Sequence, residues 1–130
     1  MKIIVLVLLL SAAMLATQAQ KETLYNPKAD AQKDIAVAIA KAKKENKFVL
    51  IQAGGNWCSW CIEFARFAKE DAKIDSVIKA SFIWYHLNYS KENENKAMFA
   101  KLGYPQRFGY PVFIILNEIG ERIYTLHGEY

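Results

Sequence analysis

With 130 residues, 53% of them apolar, the chain can build one compact domain with a genuine core and is too short for two. Its formal charge of +4 is unremarkable, and the lysines that cluster at Lys41, Lys43, Lys44 and Lys47 have no interleaved aromatic residues, which excludes a nucleic-acid platform. Two cysteines, Cys58 and Cys61, are too few for a disulfide-dense scaffold or a four-cysteine metal knuckle.

Residues 1–19 read differently from the rest: Lys2, an apolar run that reaches only Ala16, then Thr17-Gln18-Ala19 before the polar Gln20-Lys21. This is the layout of a secretory signal peptide, with cleavage expected after Ala19. The run is shorter than the roughly 20 residues of a spanning helix, so an uncleaved anchor fits less well. No cysteine lies near the cleavage point to take a lipid, and the last four residues are not a retention signal. The charge becomes +3 without Lys2, 16 basic residues standing against 13 acidic. A mature, soluble, extracytoplasmic domain over residues 20–130 is expected, with no stable membrane insertion.

Residues 30–46 carry Ile35, Ile39 and Ala42 on one helical face, widened by Val37 and Ala38, with the lysine cluster favouring the C-terminal end of the dipole. Phe48-Val49-Leu50-Ile51 is a short continuous apolar run that ends towards Gly54-Gly55, as a buried strand with a sharp exit does. From Trp57 to about Lys69 the apolar residues recur at helical spacing, which puts both cysteines in the first turn of a second helix. A short helix is expected over residues 75–80, a second buried strand over 82–87, and a helix over 92–102 stopped by Gly103. Strands over 112–116 and 122–126 flank Asn117-Glu118-Ile119-Gly120, a turn short enough for an antiparallel hairpin. The order implies an α/β fold, a mixed central sheet whose parallel part comes from crossovers and whose antiparallel edge is the hairpin. Sites in such sheets form beyond the carboxyl ends of strands, where the cysteines lie.

Three readings of the pair compete. A structural staple closing so short a loop contributes little, because the constraint on the unfolded chain shrinks with loop length. A metal site needs further ligands, and His86 and His127 lack the compact spacing of one. A reactive pair fits the physics: Cys58 at a helix N-terminus gains thiolate stabilisation from free amides and the dipole, while Cys61, one turn deeper, can attack a mixed disulfide.

Trp57-Cys58-Ser59-Trp60-Cys61 resembles the WCxxC active site of the thioredoxin superfamily, with a strand before it, a helix after it and Gly109-Tyr110-Pro111 some fifty residues on. The run "NWCSWCIEFARFAKED" is most similar to secreted thioredoxin-like domains related to the C-terminal domain of transmembrane disulfide reductases. The resemblance implies a thioredoxin-like fold over about residues 48–126. It also implies a cis Pro111 facing the cysteines, with the Tyr110 backbone pairing to an extended substrate segment. Trp57 and Trp60 would shield the pair and form an apolar rim, extended by Tyr104 and Phe108.

The chain departs from that family in three places. Gln52 stands where a buried acid is usual, and a glutamine cannot take a proton. Glu63, the nearest carboxylate in sequence, or water would serve instead. His86 corresponds to a frequent lysine neighbour of that acid. Trp60 replaces a common proline, and Ile62 a common cation. No counterpart of the family's final helix follows the hairpin, which would leave a sheet face bare; a C-terminally truncated sequence, a helix supplied by a partner and a marginally stable domain are all open readings.

The expected function is a thiol–disulfide oxidoreductase acting on protein thiols or disulfides, needing no cofactor or metal and fed by a membrane redox partner. Its rival is a non-catalytic binding module or holdase that uses the Trp57, Trp60 and Tyr110 surface.

Overall fold

A computed structural model describes residues 23–127; the expected signal segment and residues 128–130 lie outside them. Helix α1 (Ala31–Glu45) starts at Asp30, whose carboxylate accepts from the Lys33 amide at 3.1 Å, and ends at Asn46 in the left-handed conformation. Its apolar stripe of Ala31, Ile35, Ala38 and Ala42 is buried. Strand β1 (Phe48–Gly54) continues three residues past the apolar run, and α2 (Ser59–Glu70) carries the cysteine motif. Asp71 closes α2 with its amide and opens α3 (Ala72–Ser81) with its carboxylate, which accepts from Lys73 and Ile74. That cap accounts for α3 beginning before the span its apolar spacing suggests.

Strand β2 (Phe82–Asn88) leads to the main correction. The helix expected over residues 92–102 forms only as α4 (Lys96–Lys101). Asparagines take the preceding residues out of the helix: Asn95 sits at φ 47° and donates to the Asn88 carbonyl at 2.7 Å, while Asn88 donates to the Asn93 carbonyl at 3.1 Å. Short amide side chains compete with helical hydrogen bonds in this way. A 3₁₀ turn (Pro105–Phe108), not foreseen from the sequence, then delivers the chain to β3 (Val112–Leu116) and β4 (Arg122–His127). Asn117 ties their turn by accepting from Ile119 and Glu121, and Gly120 at φ 83° lies where a Cβ would strike Ile39.

The four strands run in the order β2-β1-β3-β4, β1 parallel to β2 and antiparallel to β3, with β3 and β4 forming the hairpin. The expected mixed sheet with an antiparallel edge is therefore present. Alternation along β1 sends Val49, Ile51 and Ala53 to the face covered by α1 and α4, where Leu87, Phe99, Val112 and Ile114 complete the main core. Leu50 and Gln52 point to the face covered by α2, whose Phe64 packs on Phe113 at 4.6 Å and on Trp84 at 6.3 Å between ring centroids. Beyond α2, Phe48, Tyr124 and Leu126 on this second face are left exposed by the described residues.

Candidate active site

Strand β1 ends at Gly54, directly under the cysteine motif. Cys58 is the N-cap residue of α2: its backbone is extended and its Sγ accepts a hydrogen bond from the Cys61 amide at 3.2 Å. A sulfur takes the place a serine or aspartate oxygen usually holds, so an amide of the helix terminus points straight at it. The two cysteines are joined in a disulfide with their Cα atoms 5.3 Å apart. Cys58 is 6% exposed and Cys61 fully buried, so the sulfur at the helix head is the one that reaches the surface.

Beneath the pair lies a small polar floor. Gln52 is fully buried, and its Nε2 donates to the Cys61 carbonyl at 2.8 Å. Its side chain also makes a loose contact with the Tyr25 hydroxyl that falls short of hydrogen-bonding geometry, and its Oε1 has no partner among the described residues. His86, opposite Gln52 on β2, packs between Trp84 and Tyr25, with ring centroids at 4.9 and 5.6 Å. Burial, helped by the positive charge of Lys69, pulls its pKa down to about 4, so the imidazole is neutral at physiological pH. Burial likewise holds the phenols of Tyr25 and Tyr110 above their usual range. The structure does not bring Glu63 to this floor: its side chain is exposed and accepts from Arg66 at 2.6 Å, which also pairs with Glu70.

Gly54 lets these pieces meet. A Cβ there would run into Cys61 Sγ and lie 2.8 Å from the Tyr25 hydroxyl. Tyr25 is completely buried and belongs to one apolar cluster with Cys58 and Cys61, flanked by Leu24, Ile62 and Tyr110. Asn56 clamps it from the motif loop, accepting from the Tyr25 amide at 3.0 Å and donating to its carbonyl at 2.8 Å. Sequence reasoning missed both residues. The one available signal was Leu24-Tyr25, an apolar pair in an otherwise polar stretch.

The rim is aromatic. Trp57 donates from Nε1 to the Tyr89 carbonyl at 2.7 Å and meets Tyr110 edge-on at 5.3 Å, and Tyr110 stacks on Tyr89 at 5.4 Å. The Tyr110–Pro111 peptide is cis. Trp60 is 76% exposed beside the pair and Tyr104 is exposed as well, whereas Phe108 packs against the main core. Ile62, in place of a cation, packs on the cysteine cluster. Among the described residues no group of three or more His, Cys, Asp or Glu side chains is placed to hold a metal, and no helix is long and apolar enough to cross a membrane.

A thioredoxin-like family model matches residues 30–118. Among solved structures, the chain is similar to a disulphide isomerase from Xylella fastidiosa Temecula1, at 25% identity and a TM-score of 0.74, covering 81% of this chain and 79% of that one. It is also similar to the oxidised C-terminal domain of DsbD from Neisseria meningitidis, at 21% identity and a TM-score of 0.58, covering 78% and 86%. A thioredoxin from Thermus thermophilus matches at 20% identity and a TM-score of 0.52, covering 72% and 71%. The last two likenesses speak for the fold alone. The comparison with curated proteins found no match.

Proposed function

The chain belongs to the thioredoxin-like family, and from that premise we propose that it is an extracytoplasmic thiol–disulfide oxidoreductase that exchanges disulfides with protein substrates through Cys58 and Cys61. The observation that carries this reading is the Cys58 sulfur capping α2, held by the Cys61 amide in a disulfide with its partner one turn deeper. The same amide and the helix dipole would stabilise a thiolate at Cys58 once the pair is reduced.

In the reducing direction the Cys58 thiolate attacks one sulfur of a substrate disulfide. The new S–S bond forms as the old one breaks, and the substrate's other sulfur leaves as a thiolate and is protonated by water. Cys61 then loses its proton and attacks Cys58 Sγ, which expels the second substrate sulfur and leaves the Cys58–Cys61 disulfide. Two electrons have passed to the substrate. The oxidising direction runs the same steps in reverse, and the potential of the pair sets which one dominates. Tyr110 and Pro111, beside Trp57, offer backbone to an extended substrate strand, and Trp60 offers apolar surface to its side chains. The signal-like layout of residues 1–19 supports the extracytoplasmic location. The resemblance of the run from Asn56 to Asp71 to domains of transmembrane disulfide reductases supports a membrane redox partner as electron source.

Thiol trapping in graded glutathione buffers tests the reading. A reversible two-electron couple near or below about −230 mV marks a reductant, and one above about −180 mV an oxidant or isomerase. No reversible couple would overturn it. A second reading, a binding module with the disulfide unused, is favoured by the exposure of Trp57 and Trp60, at 57% and 76%. Cys58→Ser separates the two: exchange lost with partner binding kept supports the enzyme, and unchanged function in every assay supports the module.

A further inference from the structure

The chain ahead of α1 does more than connect. Asn56 holds the backbone of Tyr25 from both sides, and the Tyr25 ring passes under the motif to put its hydroxyl against the spot at Gly54 that Cys61 Sγ also borders. The hydroxyl is completely buried and, among the described residues, has only a loose contact with the Gln52 side chain while the disulfide is closed. A buried O–H without a well-made hydrogen bond costs free energy, which a partner gained in another state would recover. Of the nearby polar groups, Gln52 gives an N–H to the Cys61 carbonyl and Glu63 faces Arg66, so neither is bonded to Cys61 Sγ.

We propose that the Tyr25 hydroxyl is the hydrogen-bond donor to Cys61 Sγ whenever the Cys58–Cys61 bond is open. The proposal rests on the oxidoreductase reading and assigns a residue to its second sulfur. When a donor thiolate attacks Cys58 Sγ, Cys61 leaves with the electron pair of the broken S–S bond, and Tyr25 O–H bonds to the resulting thiolate without giving up its proton. In the opposite direction Cys61 loses its proton to water, the thiolate is held by Tyr25, and it attacks the mixed disulfide at Cys58. A lower-energy Cys61 thiolate is a better leaving group and is present in larger fraction as attacker.

Tyr25→Phe removes the oxygen alone and leaves the ring. In a Cys58→Ser background, titration of Cys61 by ultraviolet thiolate absorbance is expected to show about tenfold less thiolate at neutral pH when Tyr25→Phe is added, the size of one charge-assisted hydrogen bond. In the otherwise intact chain, release of substrate from the mixed disulfide slows by a similar factor. The first attack by Cys58, read in a Cys61→Ser background, does not change. A tyrosine Cζ carbon resonance of the unmutated protein, labelled at that carbon, shifts on reduction and is missing in Tyr25→Phe. An unaltered Cys61 titration, or no tyrosine resonance that responds to reduction, overturns the proposal. The resonance is also assigned in the unmutated protein through its couplings within the Tyr25 ring, so that readout needs no variant that folds. The Cys61 titration needs no redox couple, so failure of the oxidoreductase reading would show separately, in the glutathione buffers.

Discussion

Gln52 Nε2 donates to the carbonyl oxygen of Cys61 at 2.8 Å, so the central strand holds the first turn of the active-site helix from below. The bond crosses the sheet–helix boundary inside the core, where water cannot replace it. Gln52→Met keeps the length of the side chain and removes the donor. Urea unfolding of the oxidised protein should show a loss of about 1 kcal/mol with an unchanged m-value.

Reactivity of the two sulfurs should split according to their places on α2. In the reduced protein, the pH profile of iodoacetamide alkylation is expected to give Cys58 a midpoint below about 7.5, under the usual thiol value of about 8.5. Cys61, fully buried, should react slowly at all pH values short of unfolding. Mass spectrometry of trapped peptides distinguishes them, and a profile in which Cys61 leads would reverse the assignment of roles.

His86 makes stability depend on pH in one direction. Its folded pKa of about 4 lies below the ordinary 6.5, so between these values the unfolded chain binds a proton that the folded chain refuses. The contribution is complete above pH 6.5 and is lost as pH falls towards 4. The full displacement sets a ceiling of about 3 kcal/mol, and the ring's partial exposure brings the expected loss to about 2 kcal/mol. His86→Phe, packed between Trp84 and Tyr25, should flatten that part of the curve when unfolding is followed from pH 7 to pH 4.

The sheet and the placement of the cysteine pair were legible because they rest on strong local signals: the apolar run from Phe48, the helical spacing after Trp57, and a turn at Asn117 and Gly120. The helix start before Lys96 was not legible, since periodicity over residues 92–102 says nothing about Asn95 and Asn88 bonding each other across the turn. Tyr25 was out of reach for a different reason. Its partners Asn56, Gly54 and His86 are 29 to 61 residues away in sequence, and only the closed fold brings them to one tyrosine. Glu63 shows the converse. It is two residues from Cys61, yet side chains two apart on a helix do not share a face, and it bonds Arg66 in solvent.

Gly54 leaves no room for a side chain between Cys61 and Tyr25. Gly54→Ala would drive a methyl group into the Cys61 sulfur and against the Tyr25 hydroxyl, and strand pairing of Gly54 with Asn88 prevents the backbone from retreating. Overpacking of this kind costs about 1–3 kcal/mol. Thermal unfolding should report that loss, and a variant as stable as the parent would mean that the floor under the pair is looser than these contacts require.

Trp57 and Trp60 flank the same sulfur, yet they should fail differently when removed. Trp57 is anchored by its Nε1 bond to the Tyr89 carbonyl and by the ring of Tyr110, so it belongs to the fixed part of the aromatic rim. Trp57→Phe loses the bond and should cost about 1 kcal/mol of stability. Trp60 is largely free of the fold, and Trp60→Ala should change stability by no more than about 0.5 kcal/mol. If Trp60 contributes its surface to substrate, the KM for an unfolded, apolar protein disulfide rises several-fold in Trp60→Ala. The rate with a small disulfide such as oxidised glutathione, which has little apolar surface to offer the indole, stays the same. Equal losses with the two substrates would instead place Trp60 in support of the cysteines.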